Sequence, residues 1–208
     1  MSSYYPIMLR LEGKRVVVVG GGKVSERKVS GMLGTGADIV VISPEATAEL
    51  QRLASSGEID WKRKSFSAED LGNAFMIFAA TNDYDLNQSI RRITRNHQLV
   101  TIVDDPEGSD FHVPSQMQRG RLSIAVSTGG ASPKLASKIR EELAEQFDDS
   151  YEDYLDFLFQ ARQQVLKEVK DSTIKKRLLS AIVSSEFLTS KDREGDFNRL
   201  YEEMKAGT

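Results

Sequence analysis

Two glycine-rich stretches and one pair of adjacent carboxylates carry most of the chemistry open to this sequence. In Gly20-Gly21-Gly22-Lys23-Val24-Ser25 the order Gly20-x-Gly22-x-x-Ser25 follows the valine run Val16 to Val19 and precedes a helical pattern. Strand, glycine turn and helix in that order aim backbone N–H groups and a helix N-terminus at an anion, and the spacing suits a diphosphate. Gly20 allows the tight turn, Gly22 lets the diphosphate approach, and Ser25 is small enough to keep helix against strand. A glycine-rich connection that binds nothing is the competing reading; the strand and helix framing the motif weigh against it. Asp104-Asp105 can take a proton, orient a cationic nitrogen or ligate a metal, yet Asp104-Asp105-Pro106-Glu107-Gly108 is equally good turn chemistry. Ser127-Thr128-Gly129-Gly130-Ala131-Ser132-Pro133-Lys134 repeats the physics of the first motif, with hydroxyls, glycines and a helix start forming an anion receptor. Arg119, Arg121, Lys134 and Lys138 surround it in sequence. Of the two histidines, His97 reads as a solvated helix end, and His112 as either a strand filler or a site residue. With no cysteine, no HExxH and no histidine cluster, no metal site built by the protein is expected.

Strands and helices in alternation must position these groups. Asp38 to Ile42, Ile59 to Lys64, Phe75 to Ala80 and Leu99 to Val103 read as further strands. Between them, helical spacing links Val24, Ser25, Lys28, Val29, Met32 and Leu33, then Leu50, Leu53 and Ala54, then Leu86, Ile90 and Ile93. Such alternation predicts a parallel sheet with right-handed crossovers, whose ligands sit beyond the carboxyl ends of the strands. Gly20–Gly22, Ser43, Thr81-Asn82 and Asp104-Asp105 all fall at those ends. The pattern changes near residue 111. Val113 to Met117 and Leu122 to Val126 read as strands around the turn Arg119-Gly120-Arg121, and Ser132-Pro133 caps and opens a helix. From Tyr151 onward the period is helical throughout. The fold class is therefore α/β: a Rossmann-type parallel-sheet domain over residues 1–112, a small α+β dimerisation and substrate-site segment over 113–145, and a helical C-terminal region over 146–208.

In a common dinucleotide site a carboxylate at the end of the second strand receives the ribose hydroxyls. Here that stretch is Ile42-Ser43-Pro44-Glu45, with no acid at the strand end itself; Glu45 lies about 20 residues past the glycines, the spacing of such sites, and points either to the ribose or elsewhere. No nearby arginine or lysine is expected for a 2′-phosphate, which favours NAD over NADP. The chain has 208 residues and a net charge of −3 with acids and bases interspersed, so neither a nucleic-acid nor a membrane surface is expected. Lys62-Arg63-Lys64, Arg91-Arg92 and Lys175-Lys176-Arg177 read as solvated faces. No apolar run approaches the ~20 residues of a membrane helix, and Met1 to Pro6 lacks the features of a signal peptide, so the expected location is cytoplasmic.

The stretches Tyr5-Pro6-Ile7, Val18-Val19-Gly20-Gly21-Gly22-x-Val24-x-x-Arg27-Lys28, Ala79-Ala80-Thr81-Asn82-Asp83, Val103-Asp104-Asp105-Pro106 and Ser127 to Pro133 occur in an order that resembles the precorrin-2 dehydrogenase family. That family comprises the N-terminal module of siroheme synthases and its stand-alone relatives, and the likeness covers roughly residues 4–145. The resemblance implies NAD-dependent oxidation of precorrin-2 to sirohydrochlorin, on a homodimer whose second domains interlock. It implies that Asp104 is the essential aspartate and that Ser127 or Thr128 lies near the tetrapyrrole. Gly20, Gly22, Lys23, Val24, Ser43, Pro44, Thr81 and Asn82 are then the cofactor-binding residues. Asp105, His112, Arg119, Arg121, Ser127, Thr128, Gly129 and Lys134 are the substrate-binding ones. The sequence shows no counterpart of the methyltransferase module of the fused enzymes, so methylation is expected to fall to another protein. Iron insertion falls either to this chain or to a separate ferrochelatase that receives its product; dehydrogenation is expected as the main activity. A regulatory module that senses NAD without turnover, and a chelatase with an idle NAD fold, are the rival readings. The helical region after residue 145 resembles nothing to which a function attaches.

Overall fold

The computed structural model describes residues 4–103 and 105–206. Contacts divide the chain into two units, the division falling between Val113 and Pro114.

The first unit holds β1 (Arg15–Val19), α1 (Lys23–Ser30), β2 (Asp38–Ile42), α2 (Ala48–Ser55), β3 (Asp60–Lys62), a single 3-10 turn (Ala68–Leu71), β4 (Met76–Ala79), α3 (Tyr84–Ile93) and β5 (Leu99–Ile102). The strands form one parallel sheet in the order β3-β2-β1-β4-β5. The chain builds outward from β1 to β3 and then returns to lay β4 on the other side of β1, opening a crevice at the carboxyl ends of β1 and β4. Strand alternation sends Val16 and Val18 to one layer, with Val29, Leu50 and Leu53 from α1 and α2. Val17 and Val19 go to the other, with Leu71 and Ile90. Covered on both sides, β1 needs an unbroken apolar run, which is what its valines supply. The first helix is shorter than its apolar spacing suggests. It stops at Ser30 with Gly31 as its cap, and Met32 reaches the core from the turn that follows.

In the second unit β6 (Ser115–Arg119) and β7 (Leu122–Val126) form an antiparallel hairpin, on which α4 (Pro133–Gln146) packs. Helices α5 (Ser150–Glu168), α6 (Ser172–Ala181), α7 (Ser185–Thr189) and α8 (Arg193–Ala206) enclose a core of their own, centred on Val165, Leu178, Ile182, Phe197 and Tyr201. Among the described residues no helix is long and apolar enough to cross a membrane.

Candidate functional site

The glycine turn is closed by protein at two positions and open at the third. Gly20 leaves β1 with φ +119°, where a Cβ would stand 2.2 Å from the Ala80 carbonyl oxygen. A Cβ on Gly21 would stand 1.9 Å from the Glu45 carbonyl oxygen, and Thr47 N–H donates to the Gly21 carbonyl at 2.9 Å. The turn is thereby wedged between the ends of β2 and β4. Gly22, the cap position of α1, has extended backbone, and a Cβ there would meet nothing within 4 Å. The neighbouring helices α2 and α3 are capped by Thr47 and Asp83, whose side chains accept from Leu50 and Leu86 N–H. No side chain caps α1, so its first-turn N–H groups face the open side of Gly22. Beneath the turn Ser25 Oγ is buried without a hydrogen-bond partner. A diphosphate fits this arrangement: it would occupy the space that Gly22 leaves free and satisfy N–H groups at the positive end of a helix.

The other residues expected at this end serve it unequally. Lys23 is exposed and pairs with Glu26 at 2.9 Å, while Val24 is half-buried in the first turn. Glu26 is held below the usual carboxylate range by the Thr47 hydroxyl and by Lys23. The Ser43 carbonyl accepts from Trp61 Nε1 at 3.0 Å, and Pro44 is exposed beside it. Thr81 is fixed by Asn87, whose side-chain oxygen accepts from Thr81 N–H and Oγ1 and whose amide donates to the Thr81 carbonyl. Asn87 is buried, a framing role that a lone asparagine in a helical pattern does not announce. Asn82 lies exposed on the same turn. Asp105 closes a turn, accepting from Gln88 Nε2 at 2.6 Å and Gly108 N–H at 2.9 Å, and these bonds hold its carboxyl below the ordinary range. Asp104 lies outside the described residues. His112 is exposed, its Nε2 2.5 Å from the Tyr4 hydroxyl.

One group at this end of the sheet was not anticipated. A pocket of about 300 Å³ is lined by Glu45, Ala46, Gln51, Trp61 and Arg63. Arg63 therefore does stand near Glu45, contrary to the expectation that no base lies near the end of β2 and that Lys62-Arg63-Lys64 is only a solvated face. The linear sequence separates the two residues, and the pairing of β3 with β2 joins them. The available signal was that Arg63 stands at the carboxyl end of the strand read over Ile59 to Lys64, which the structure shortens to Asp60–Lys62.

In the second unit the loop before α4 has the expected hydroxyls and glycines, but its own side chains take up several of its N–H groups. Ser127 Oγ accepts from Gly129 N–H, Thr128 Oγ1 from Ser132 N–H and Ser132 Oγ from Leu135 N–H. Gly129 and Gly130 both have positive φ, and Lys134 is exposed in the first turn of the helix. Arg119 and Arg121 do not flank this loop as their sequence positions suggest. Arg119 pairs with Leu122 across the hairpin and Ser115 with Val126, so the arginines occupy the closed end and Ser127 follows the open one. The ends are about 14 Å apart at the usual rise of a strand. Arg121 Nε donates to Asp156 at 2.7 Å with its guanidinium 3.8 Å from the centre of the Phe159 ring, and Arg119 Nε lies 2.7 Å from Asp149. Both tie the hairpin to α5 and the residue preceding it. A larger cavity of about 720 Å³, lined by residues of α5 and α8 such as Asp153, Asp156, Gln164 and Glu194, contains none of the residues anticipated for a site.

Comparison with known proteins covers both units. Residues 7–115 match a family model described as "Putative NAD(P)-binding", residues 119–146 one for "Sirohaem biosynthesis protein central", and residues 151–197 the "SirC C-terminal domain". The last match covers the helical region, for which the sequence alone offers no resemblance to which a function attaches. The chain is 36% identical to "Precorrin-2 dehydrogenase" of Priestia megaterium, over 97% of this chain and 100% of that protein. It is 33% identical to "Precorrin-2 dehydrogenase" of Bacillus subtilis (strain 168), over 76% and 98%. A solved structure of "SirC, precorrin-2 dehydrogenase" superposes with a TM-score of 0.83 at 36% identity, covering 96% of this chain and all of the other.

Proposed function

The chain belongs to the precorrin-2 dehydrogenase family, and we propose on that footing that it oxidises precorrin-2 to sirohydrochlorin with NAD as the acceptor. The observation that carries this reading is identity of 36% running through the full length of a relative of that name, on a chain whose own glycine turn is open where a diphosphate must lie. When bound, the nicotinamide supplies a two-electron acceptor for the hydride removed from the macrocycle. The protein has the remaining tasks. Gly22, Lys23 and Val24 hold the diphosphate through backbone N–H groups, Gly20 (whose own N–H donates to the Ile42 carbonyl) shapes the turn, and Ser43, Pro44, Thr81 and Asn82 form the rim. The choice of NAD rests on the Glu45 carboxylate, which lines the pocket beside the glycine turn. Asp104 orients the pyrrole nitrogens or takes the proton on a carboxylate oxygen. The Ser127 and Thr128 hydroxyls and the Lys134 ammonium hold carboxylates of the substrate, with Gly129 shaping the loop that presents them. An anaerobic assay with enzymatically generated precorrin-2 tests this. Sirohydrochlorin should form only when NAD is present, and cobalt or ferrous ion added afterwards should be inserted no faster than without protein. NAD-independent turnover with metal would replace the dehydrogenase reading by a chelatase.

The proposal extends to a homodimer built by residues 113–145 with help from the helices that follow. A two-stranded hairpin is too small to bury its own apolar face. Leu122, Ile124 and Val126 are each only half-buried, and Val113 and Leu135 are 42% and 49% exposed. Light scattering at micromolar concentration should return twice the chain mass; a fully active monomer would contradict it.

A further inference from the structure

The pocket beside the glycine turn is lined by one residue of each sign, and neither charge is neutralised by an ion pair within the described protein. Among the described residues neither Glu45 nor Arg63 takes part in an ion pair, whereas Arg15, Arg52 and Arg91 of the same unit each pair with a carboxylate. We propose that Arg63 reads the 2′ position of the adenosine ribose: Glu45 accepts from the ribose hydroxyls and repels a 2′-phosphate, and Arg63 is the cation that would receive that phosphate once the Glu45 charge is removed. The inference rests on the reading that the glycine turn binds a nicotinamide dinucleotide.

Strand pairing puts Arg63 there. Parallel strands end on the same side of a sheet, and the register Val41↔Trp61, Ile42↔Lys62 sets Arg63 level with Ser43, one step beyond both strands. Ser43 N–H donates to the Lys62 carbonyl at 3.3 Å, and Lys64 N–H donates to the same oxygen at 2.9 Å, so the chain turns sharply at Arg63. Trp61 and Arg63, two residues apart, share a face. The indole is anchored by its bond to the Ser43 carbonyl and packs against the core layer of α1 and α2. The Arg63 guanidinium carbon lies 5.8 Å from the centre of that ring. An otherwise long, mobile side chain is thus given a platform at the pocket wall.

Glu45 reaches the pocket from the other side and by an equally fixed route. Its carbonyl oxygen is the atom that bars a side chain at Gly21, and Thr47 N–H returns to the Gly21 carbonyl. The pocket therefore adjoins the turn whose next residue, Gly22, opens toward the diphosphate. Its volume of about 300 Å³ is at the small end of ligand sites, enough for a ribose and one substituent. A ribose diol donates to a carboxylate, and a phosphomonoester accepts a forked pair of bonds from a guanidinium. With both groups present, selectivity is the difference between them, so removing either should shift it in a predictable direction.

Calorimetric titration of the full chain tests this without turnover, using NAD, NADP, ADP-ribose and its 2′-phosphate. The last two lack nicotinamide and differ only in the 2′-phosphate. The native chain should prefer the unphosphorylated member of each pair. Glu45→Gln should strengthen binding of both 2′-phosphorylated ligands about tenfold, the weight of one charge-assisted contact, and weaken NAD several-fold. Adding Arg63→Ala should abolish that gain, and Arg63→Lys should retain part of it. All three substitutions fall at exposed positions, and melting curves confirm folding. A NADP affinity unmoved by Glu45→Gln, or a gain that survives Arg63→Ala, would overturn the proposal while NAD still bound. If the native chain bound neither dinucleotide, or bound both undiminished after Gly22→Asp, the cofactor reading itself would fall and this inference with it.

Discussion

Gly22→Asp should yield a folded protein that no longer binds the dinucleotide. Gly22 has φ −84° and ψ −173°, which any residue adopts, and a Cβ there meets nothing within 4 Å. Aspartate is also a favourable cap, so α1 should gain a few tenths of a kcal/mol and the melting temperature should hold or rise slightly. The same carboxylate would accept the first-turn N–H groups and place a negative charge against the diphosphate. Lost charge-assisted bonds and like-charge repulsion together come to about 3 kcal/mol or more, at least a 100-fold loss of affinity. Gly20→Ala serves as the contrast. Its Cβ would overlap a backbone carbonyl at 2.2 Å from a φ of +119°, so it should destabilise the unit by about 3 kcal/mol and melt on the order of 10 °C early. Parallel titration and melting experiments separate the two effects. An undiminished affinity in folded Gly22→Asp would remove the turn from the binding site.

Asp104→Ala should abolish oxidation of precorrin-2 and leave dinucleotide affinity unchanged. The loss expected for removing a group that moves or positions a proton is about 100- to 10,000-fold in turnover. The neighbouring chain shows how a turn role would differ. Val103 N–H still bonds to the Ala79 carbonyl at the sheet, and Asp105 already closes the following turn through Gln88 and Gly108. The turn therefore has a carboxylate of its own to stabilise it. Measured together, melting temperature and turnover per folded molecule discriminate between the roles, with Asp104→Asn as the variant of conserved shape. A protein that melts early yet turns over normally would assign Asp104 to the turn and leave the proton to another group.

The local patterns in the chain were enough to establish the alternation of strands and helices, the glycine turn and the cap at Ser132-Pro133. Each is written within a few residues: the unbroken apolar run Val16–Val19, the geometry of a turn, the bond that Leu135 N–H donates to Ser132. The same patterns were misleading wherever position depended on which segments pair. Arg119 and Arg121 are near Ser127 in sequence, but antiparallel pairing carries them to the far end of the hairpin and into the service of α5. Arg63 is 18 residues beyond Glu45 and reads as surface charge, yet the pairing of β3 with β2 brings it to the wall of the pocket that Glu45 lines. Nor can spacing tell which glycine opens outward. That depends on Ala80 and Glu45, whose carbonyls close off Gly20 and Gly21 from two different strand ends and leave Gly22 facing free space. Sequence determines the elements because backbone and side-chain preferences act over one turn or one strand. The site is decided by tertiary structure because its walls come from segments joined only by the order in which the sheet assembles.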